Sequence, residues 1–203
     1  MRADFPDFRL GSVLATSFTG TLSERHGDAV ERIPVPHRLV DWLAVYGLAV
    51  DSCTTAQLDL ARELRESIHA VATAAALQDT LPAAAVRVIN DRSTQGRAAA
   101  VLTPEGKRHW RLGPASRVED ALGVIAADAI GVISGERDGR LALCASPTCR
   151  AAFFDTSRSR TRRWCDMNTC GNRQKKARFN AGRRTGPGPA ADAGPPLPGT
   201  HGR

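Results

Sequence analysis

Apolar positions recur at helical spacing through two long stretches of the chain. Leu58, Ala61, Leu64, Ile68, Val71 and Ala75 stand three or four residues apart, which lays one apolar stripe along a helix. Thr54 and Gln57 ahead of them have the spacing of a capping box, in which each residue satisfies an amide at the start of the helix. Val118, Leu122, Ile125, Ala129 and Val132 repeat the stripe, with Ser116 and Glu119 as the capping pair and Gly135 as the stop. A shorter stripe of Leu39, Leu43 and Tyr46 follows Pro36, whose fixed φ suits a first helical turn, and Gly47 ends it. Another helix is expected from Pro82 through Val86 and Ile89. Leu10–Leu22 alternates loosely and carries Val, Phe and several Thr, the pattern of a strand or hairpin arm. Ala98–Leu102 and His109–Leu112 flank Thr103-Pro104-Glu105-Gly106, which reads as a hairpin turn. The pattern predicts an α+β fold, with a mostly helical N-terminal domain carrying a short β-hairpin or sheet over residues 1–135.

The pattern changes after that point, because four of the five cysteines gather in a short stretch. Cys144, Cys149, Cys165 and Cys170 form a C-x4-C-x15-C-x4-C array. Two close pairs joined by a short arm suit one tetrahedral Zn²⁺, each pair spanning one edge. The N-terminus has no apolar signal core and no run of about 18 apolar residues occurs, so a cytoplasmic chain with reduced thiols and no membrane span is expected. Metal binding or redox sensing then remain as uses for the cysteines. A piece of about 40 residues buries too little apolar surface to fold alone, whereas structural zinc contributes on the order of 10–16 kcal/mol. One structural Zn²⁺ held by Cys144, Cys149, Cys165 and Cys170 is the favoured reading, in a small four-cysteine zinc-finger module over residues 136–184. Leu141 and Leu143 lead a strand into it, and Phe153, Phe154 and Trp164 supply its apolar filling. Its last helix has two candidate starts, Asp166 or Asn172, the first being preferred, and Phe179 turns back to the core in either case. Gly171 permits close backbone approach beside Cys170.

The stretch from Leu143 to Phe179 resembles the CGNR zinc finger of bacterial proteins. Cys170-Gly171-Asn172-Arg173 supplies the tetrapeptide, and Phe154-Asp155-Thr156-Ser157 and Arg163-Trp164-Cys165 match the pattern around it. The segment before it is similar to the ABATE domain in its helical stretch Ala61–Val71 and in an early strand followed by Pro36–Leu43. That domain usually opens with an Asp-Phe-x-Asn-Thr run. Here Ser17-Phe18-Thr19-Gly20-Thr21 stands instead, so both polar positions differ. The resemblance implies a stress-induced transcription regulator.

Charge sharpens where function is expected. The net charge of the 203-residue chain is +7, yet residues 140–184 hold twelve basic side chains against Asp155 and Asp166. The arginine-rich arm offers Arg158, Arg160, Arg162 and Arg163, interleaved with Ser and Thr. The final helix offers Arg173, Lys175, Lys176, Arg178, Arg183 and Arg184. Arginine forks suit phosphates and guanine edges, and duplex DNA is the natural polyanion for an arginine arm beside a basic helix. DNA is therefore the expected partner, with RNA or an acidic protein as rivals. Dimerisation would add affinity to so small a finger, although no heptad marks an interface, and any small-molecule effector of the N-terminal domain is unknown. Enzyme signatures are absent: there is no H-E-x-x-H, G-x-S-x-G or G-x-G-x-x-G, and the five histidines are scattered. Cys53 reads as a small buried hydrophobe. Residues 185–203 contain 10 Gly or Pro in 19 positions and read as a disordered tail.

Overall fold

The longest helix, Thr55–Leu77, forms the spine of the N-terminal region in a computed structural model. The structure describes residues 5–184 apart from Ser12 and Pro114, with the backbone alone for residues 182–184. The expected tail and the side chains of Arg183 and Arg184 therefore lie outside the described residues. In chain order the helices are α1 (Leu14–Thr19), α2 (Pro36–Val45), α3 (Thr55–Leu77), α4 (Ala83–Gln95), α5 (Val118–Ile133) and α6 (Asn172–Arg184), the last preceded by a π-helical turn, Met167–Gly171. The strands form three separate antiparallel pairs: β1 (Leu22–Ser23) with β2 (Val30–Glu31), β3 (Ala98–Leu102) with β4 (Arg108–Leu112), and β5 (Arg140–Leu143) with β6 (Ala152–Asp155). The fold is α+β, with six helices among the described residues. No helix among them is long and apolar enough to cross a membrane.

The capping box at α3 is present as expected: Gln57 N donates to Thr54 Oγ1 at 3.2 Å, and Thr54 N donates to Gln57 Oε1 at 2.9 Å. Pro36 opens α2, and Gly47 follows its end at φ +70°, a conformation that costs a residue without Cβ little. The β3–β4 hairpin pairs Ala98 with Leu112 and Leu102 with Arg108 around the expected turn. The apolar stripes of α2, α3 and α5 converge with α1 and α4 on one core, in which Phe18, Trp42, Leu39, Leu64, Leu122 and Ile125 are fully buried. Each such Leu or Phe contributes about 1.5–3 kcal/mol through removal of its surface from water.

Two local expectations are corrected. Leu10–Leu22 is not a strand or hairpin arm; its middle, Leu14–Thr19, is the short helix α1, and Leu22 at its end begins β1. Its hydroxyls bond back along the chain, Ser17 Oγ to Val13 O at 2.7 Å and Thr19 Oγ1 to Thr16 O at 3.0 Å. Its first turn is capped from a distance, because Ala15 N donates to Asp128 Oδ2 of α5 at 2.9 Å. Burial of Ala15 and Phe18 and this remote cap outweigh the local β preference of Val and Thr. Helix α5 also starts one residue later than the Ser116–Glu119 pair predicts. Its first free amide, Arg117 N, faces Asp120 Oδ2 at 3.4 Å, and the same carboxylate accepts Arg97 N at 2.7 Å.

The C-terminal module rests on this helical body. Hairpin β5–β6 packs against α3, and β6 also meets α1. Phe154 of β6 and Leu141 of β5 join Val13 and Val132 in a small apolar cluster between the two regions.

Candidate metal centre and its basic surroundings

Hairpin β5–β6 brings the first cysteine pair into position. Cys144 follows β5 directly, the chain reverses through Ala145–Thr148, and Cys149 precedes β6. Cys149 N donates to Ser146 O and Cys144 N donates to Ala151 O, so the turn is closed by its own backbone. The second pair straddles the start of the last helical segment. Asp166 begins it, accepting from Asn168 N at 2.9 Å and from Thr169 Oγ1 at 3.0 Å, which is the preferred of the two expected starts. Cys165 precedes this cap and Cys170 lies within the π-helical turn. Gly171 packs closely beside Cys170: a Cβ there would meet Met167 Sδ at 2.3 Å, so the exposed Met167 side chain would have to move.

The four cysteine sulfurs lie within 4.8 Å of one another. Cys149 Sγ and Cys170 Sγ each stand 3.6 Å from Cys165 Sγ, so none is in a disulfide. A tetrahedral Zn²⁺ with bonds of about 2.3 Å places its sulfurs about 3.8 Å apart, and the observed spacing fits that figure. Cys144, Cys149 and Cys170 are buried and Cys165 is half-buried. Without a cation the cluster cannot hold four thiolates. Hydrogen bonds from Cys149 and Cys165 pull Cys144 far below the ordinary thiol value, and the bond to Cys144 pushes Cys149 up. Cys165 is likewise driven up, first by its bond to Cys144. One divalent cation in the centre relieves this conflict and lets all four ionise. Backbone amides complete the surroundings: those of Ser146 and Cys165 face Cys144, and that of Ala151 faces Cys149. Four sulfurs leave no open coordination position, so the donor set suits a structural ion.

Phe153 and Trp164 pack against the sulfurs, and Phe154 fills the contact with α1 and α5, as their role as apolar filling anticipated. Phe179 does not turn back to the core; it is 65 % exposed on α6. Helix α6 packs mainly on the π-helical turn that precedes it, and the apolar groups around the sulfurs are Phe153 and Trp164, without Phe179.

The basic side chains divide into two groups. Arg160 is paired with Asp138. Arg162 is turned inward onto backbone, donating to Trp164 O at 3.0 Å and to Cys165 O while lying over the Phe153 ring. Arg173, of the CGNR tetrapeptide, pairs with Glu24 and bonds Thr148 Oγ1 at 3.2 Å. These three sequence-predicted contacts thus have intramolecular partners. Arg158, Arg163, Lys175, Lys176 and Arg178 have no carboxylate partner among the described residues, and all five are exposed. Arg163 lies over the Trp164 ring at 5.4 Å.

Glu24 is a residue that sequence reasoning missed. It sits between β1 and β2 with φ +53° and is buried. Its carboxylate accepts from Thr148 Oγ1 at 2.8 Å and from Arg173, with Arg9 at 3.6 Å. Beside it, His26 N donates to Thr148 O at 3.0 Å. Burial opposes ionisation of Glu24, but the bonds from Arg173 and Thr148 outweigh it and hold the carboxyl below its ordinary value. No local signal announces this residue, because its partners lie 124 and 149 positions away.

Comparison with known families adds two matches. The ABATE family model, described as "Putative stress-induced transcription regulator", matches residues 12–136, and the CGNR zinc finger model matches residues 140–183. A search of curated proteins found none that matches the chain.

Proposed function

The chain belongs to the ABATE family and carries a CGNR zinc finger behind that domain, and from this premise we propose that it is a zinc-dependent, DNA-binding transcription regulator of the cytoplasm. In this reading Cys144, Cys149, Cys165 and Cys170 hold one structural Zn²⁺, and the finger presents its basic face to a duplex. The N-terminal region senses a signal or mediates assembly. The observation that carries the reading is the set of exposed basic residues without a carboxylate partner among the described residues: Arg158 and Arg163 on the arm, Lys175, Lys176 and Arg178 on α6. Cations left unpaired on a metal-organised frame are available to phosphates, and contacts of that kind fix register on DNA. Four sulfur donors and regulator-type families both argue against catalysis at the centre.

A fragment selection with the zinc-loaded full chain tests the reading. Duplexes should be retained, with log affinity falling linearly against log salt at a slope of about −4 to −5 for five phosphate contacts. Absence of salt-sensitive binding to any duplex refutes it. Stronger competition by structured or single-stranded RNA assigns the same face to RNA instead. A stably co-purifying acidic protein without nucleic-acid carry-over assigns it to an adaptor role.

A further inference from the structure

Two further arginines, which lie outside both the arm and the last helix, point to where a nucleic-acid backbone would seat. An open depression of about 360 Å³ is lined by Arg140, Arg150, Thr161, Arg162 and Arg163 together with apolar residues of α3, β5 and the turn after β5, and by no acidic residue among the described residues. The arginines come from three segments: the start of β5, the residue after Cys149, and the arm just before Cys165. Each backbone is pinned by the frame around the cysteines. Arg150 N donates to Ser146 O at 3.1 Å, the Arg163 carbonyl accepts Ala145 N at 2.8 Å, and Arg140 lies opposite Asp155 in the hairpin register.

Their side chains are nonetheless exposed, and Arg140, Arg150 and Arg163 have no carboxylate partner among the described residues. Arg162 contributes differently, since its guanidinium is bound to the carbonyls of Trp164 and Cys165 and fixes the rim. Like charges gathered in one concavity repel each other until an anion enters, and that repulsion favours phosphate oxygens over any neutral ligand. Guanidinium forks present paired donors suited to those oxygens, and the Thr161 hydroxyl adds another polar group at the rim. We infer that Arg140, Arg150 and Arg163 form the phosphate seat of the finger and take the phosphodiester backbone of a duplex, an inference that rests on the DNA-binding reading above. The seat positions the finger on DNA and reads no base.

The test measures duplex affinity against salt for the zinc-loaded full chain and for the triple variant R140Q/R150Q/R163Q. Each lost phosphate contact should reduce the slope by about 0.9, so the triple variant should lose about 2–3 units of slope. Its affinity should fall by a similar factor for every sequence. The matching triple substitution to Lys should keep most of the slope because the charge remains. Zinc content and circular dichroism must equal those of the parent; if the triple variant loses zinc, the three single variants carry the same reading at about 0.9 each. An unchanged slope in variants that retain zinc overturns the seat while leaving DNA binding intact. No salt-sensitive binding by the parent chain overturns the DNA-binding reading itself. Displacement of the duplex by sub-millimolar inorganic phosphate at constant ionic strength would make the depression a free-anion site and also overturn the proposal.

Discussion

Phe18, Trp42, Leu64, Leu122 and Ile125 meet in the N-terminal region as a continuous apolar interior drawn from five helices. The interior of the C-terminal module is instead three buried cysteines with Phe153, flanked by Trp164 and Cys165. The first core stays together because burial of many side chains offsets chain entropy. The second has too few apolar groups for that and is organised around sulfur atoms that repel one another as thiolates without a cation. The difference separates the variables that control each region. Packing changes act on the first and metal supply acts on the second, even though Phe154, Leu141, Val13 and Val132 join them.

Metal removal is the largest way to break that contrast. A strong chelator should withdraw on the order of 10–16 kcal/mol of binding free energy from the module. Hydrogen exchange should then lose protection across β5, β6 and α6, while amides of α3 and α5 keep theirs. Metal analysis of protein purified without chelator should give about one zinc per chain, as expected for a single tetrahedral site with four cysteine ligands. If chelation unfolds α3 and α5 to the same extent, the two cores are one cooperative unit and the contrast fails.

The same contrast explains which parts were legible in the sequence. Helices α2, α3 and α4 and the β3–β4 hairpin follow from periodicity, a capping box and turn residues, all of which are local. The cysteine cluster followed from spacing, and Asp166 followed from a local cap. Helix α1 was misread because its stability comes from Asp128, 113 positions away, and from burial of Ala15 and Phe18. Phe179 is exposed because α6 packs mainly on the turn before it, which helical spacing alone does not reveal. The basic residues were legible as charge but not by partner. Nothing local distinguishes Arg173, which meets Glu24, from Arg178, which has no carboxylate partner among the described residues.

That Glu24–Arg173 pair offers a smaller test, because it joins the two regions through a carboxylate on one and a guanidinium on the other. The Glu24 side chain is 7 % exposed and that of Arg173 is 45 % exposed, so solvent screens the pair in part. A double-mutant cycle of E24Q and R173Q should give a coupling of about 1 kcal/mol, read as the stability of β5, β6 and α6 by hydrogen exchange. The carboxyl is held below its ordinary value, so the contribution is complete above about pH 4.5 and is lost as pH falls through the lowered value. A coupling of zero would leave the two regions joined by the apolar cluster and by the bonds of Thr148 to Glu24 and His26.

The last effect concerns acid and should be confined to the N-terminal region. His69 on α3 has a buried Nδ1 without a hydrogen-bond partner among the described residues. Burial is the main cause that lowers its pKa to about 4; Arg25, His26 and Arg65 lower it further, and Glu66 opposes them. The folded chain therefore keeps the imidazole neutral, whereas the unfolded chain takes up a proton near pH 6.5. Stability from this source is complete above about pH 6.5 and is lost as pH falls from there towards about 4, by on the order of 3 kcal/mol. Substituting His69→Gln should flatten that part of the pH profile while leaving stability near pH 8 within about 1 kcal/mol. Amides of α3 should report the change as pH falls below about 6.5, with zinc content followed in parallel. A profile as steep in the variant as in the parent would place the acid sensitivity elsewhere, and a response first seen in β5 and β6 would place it in the metal-organised module.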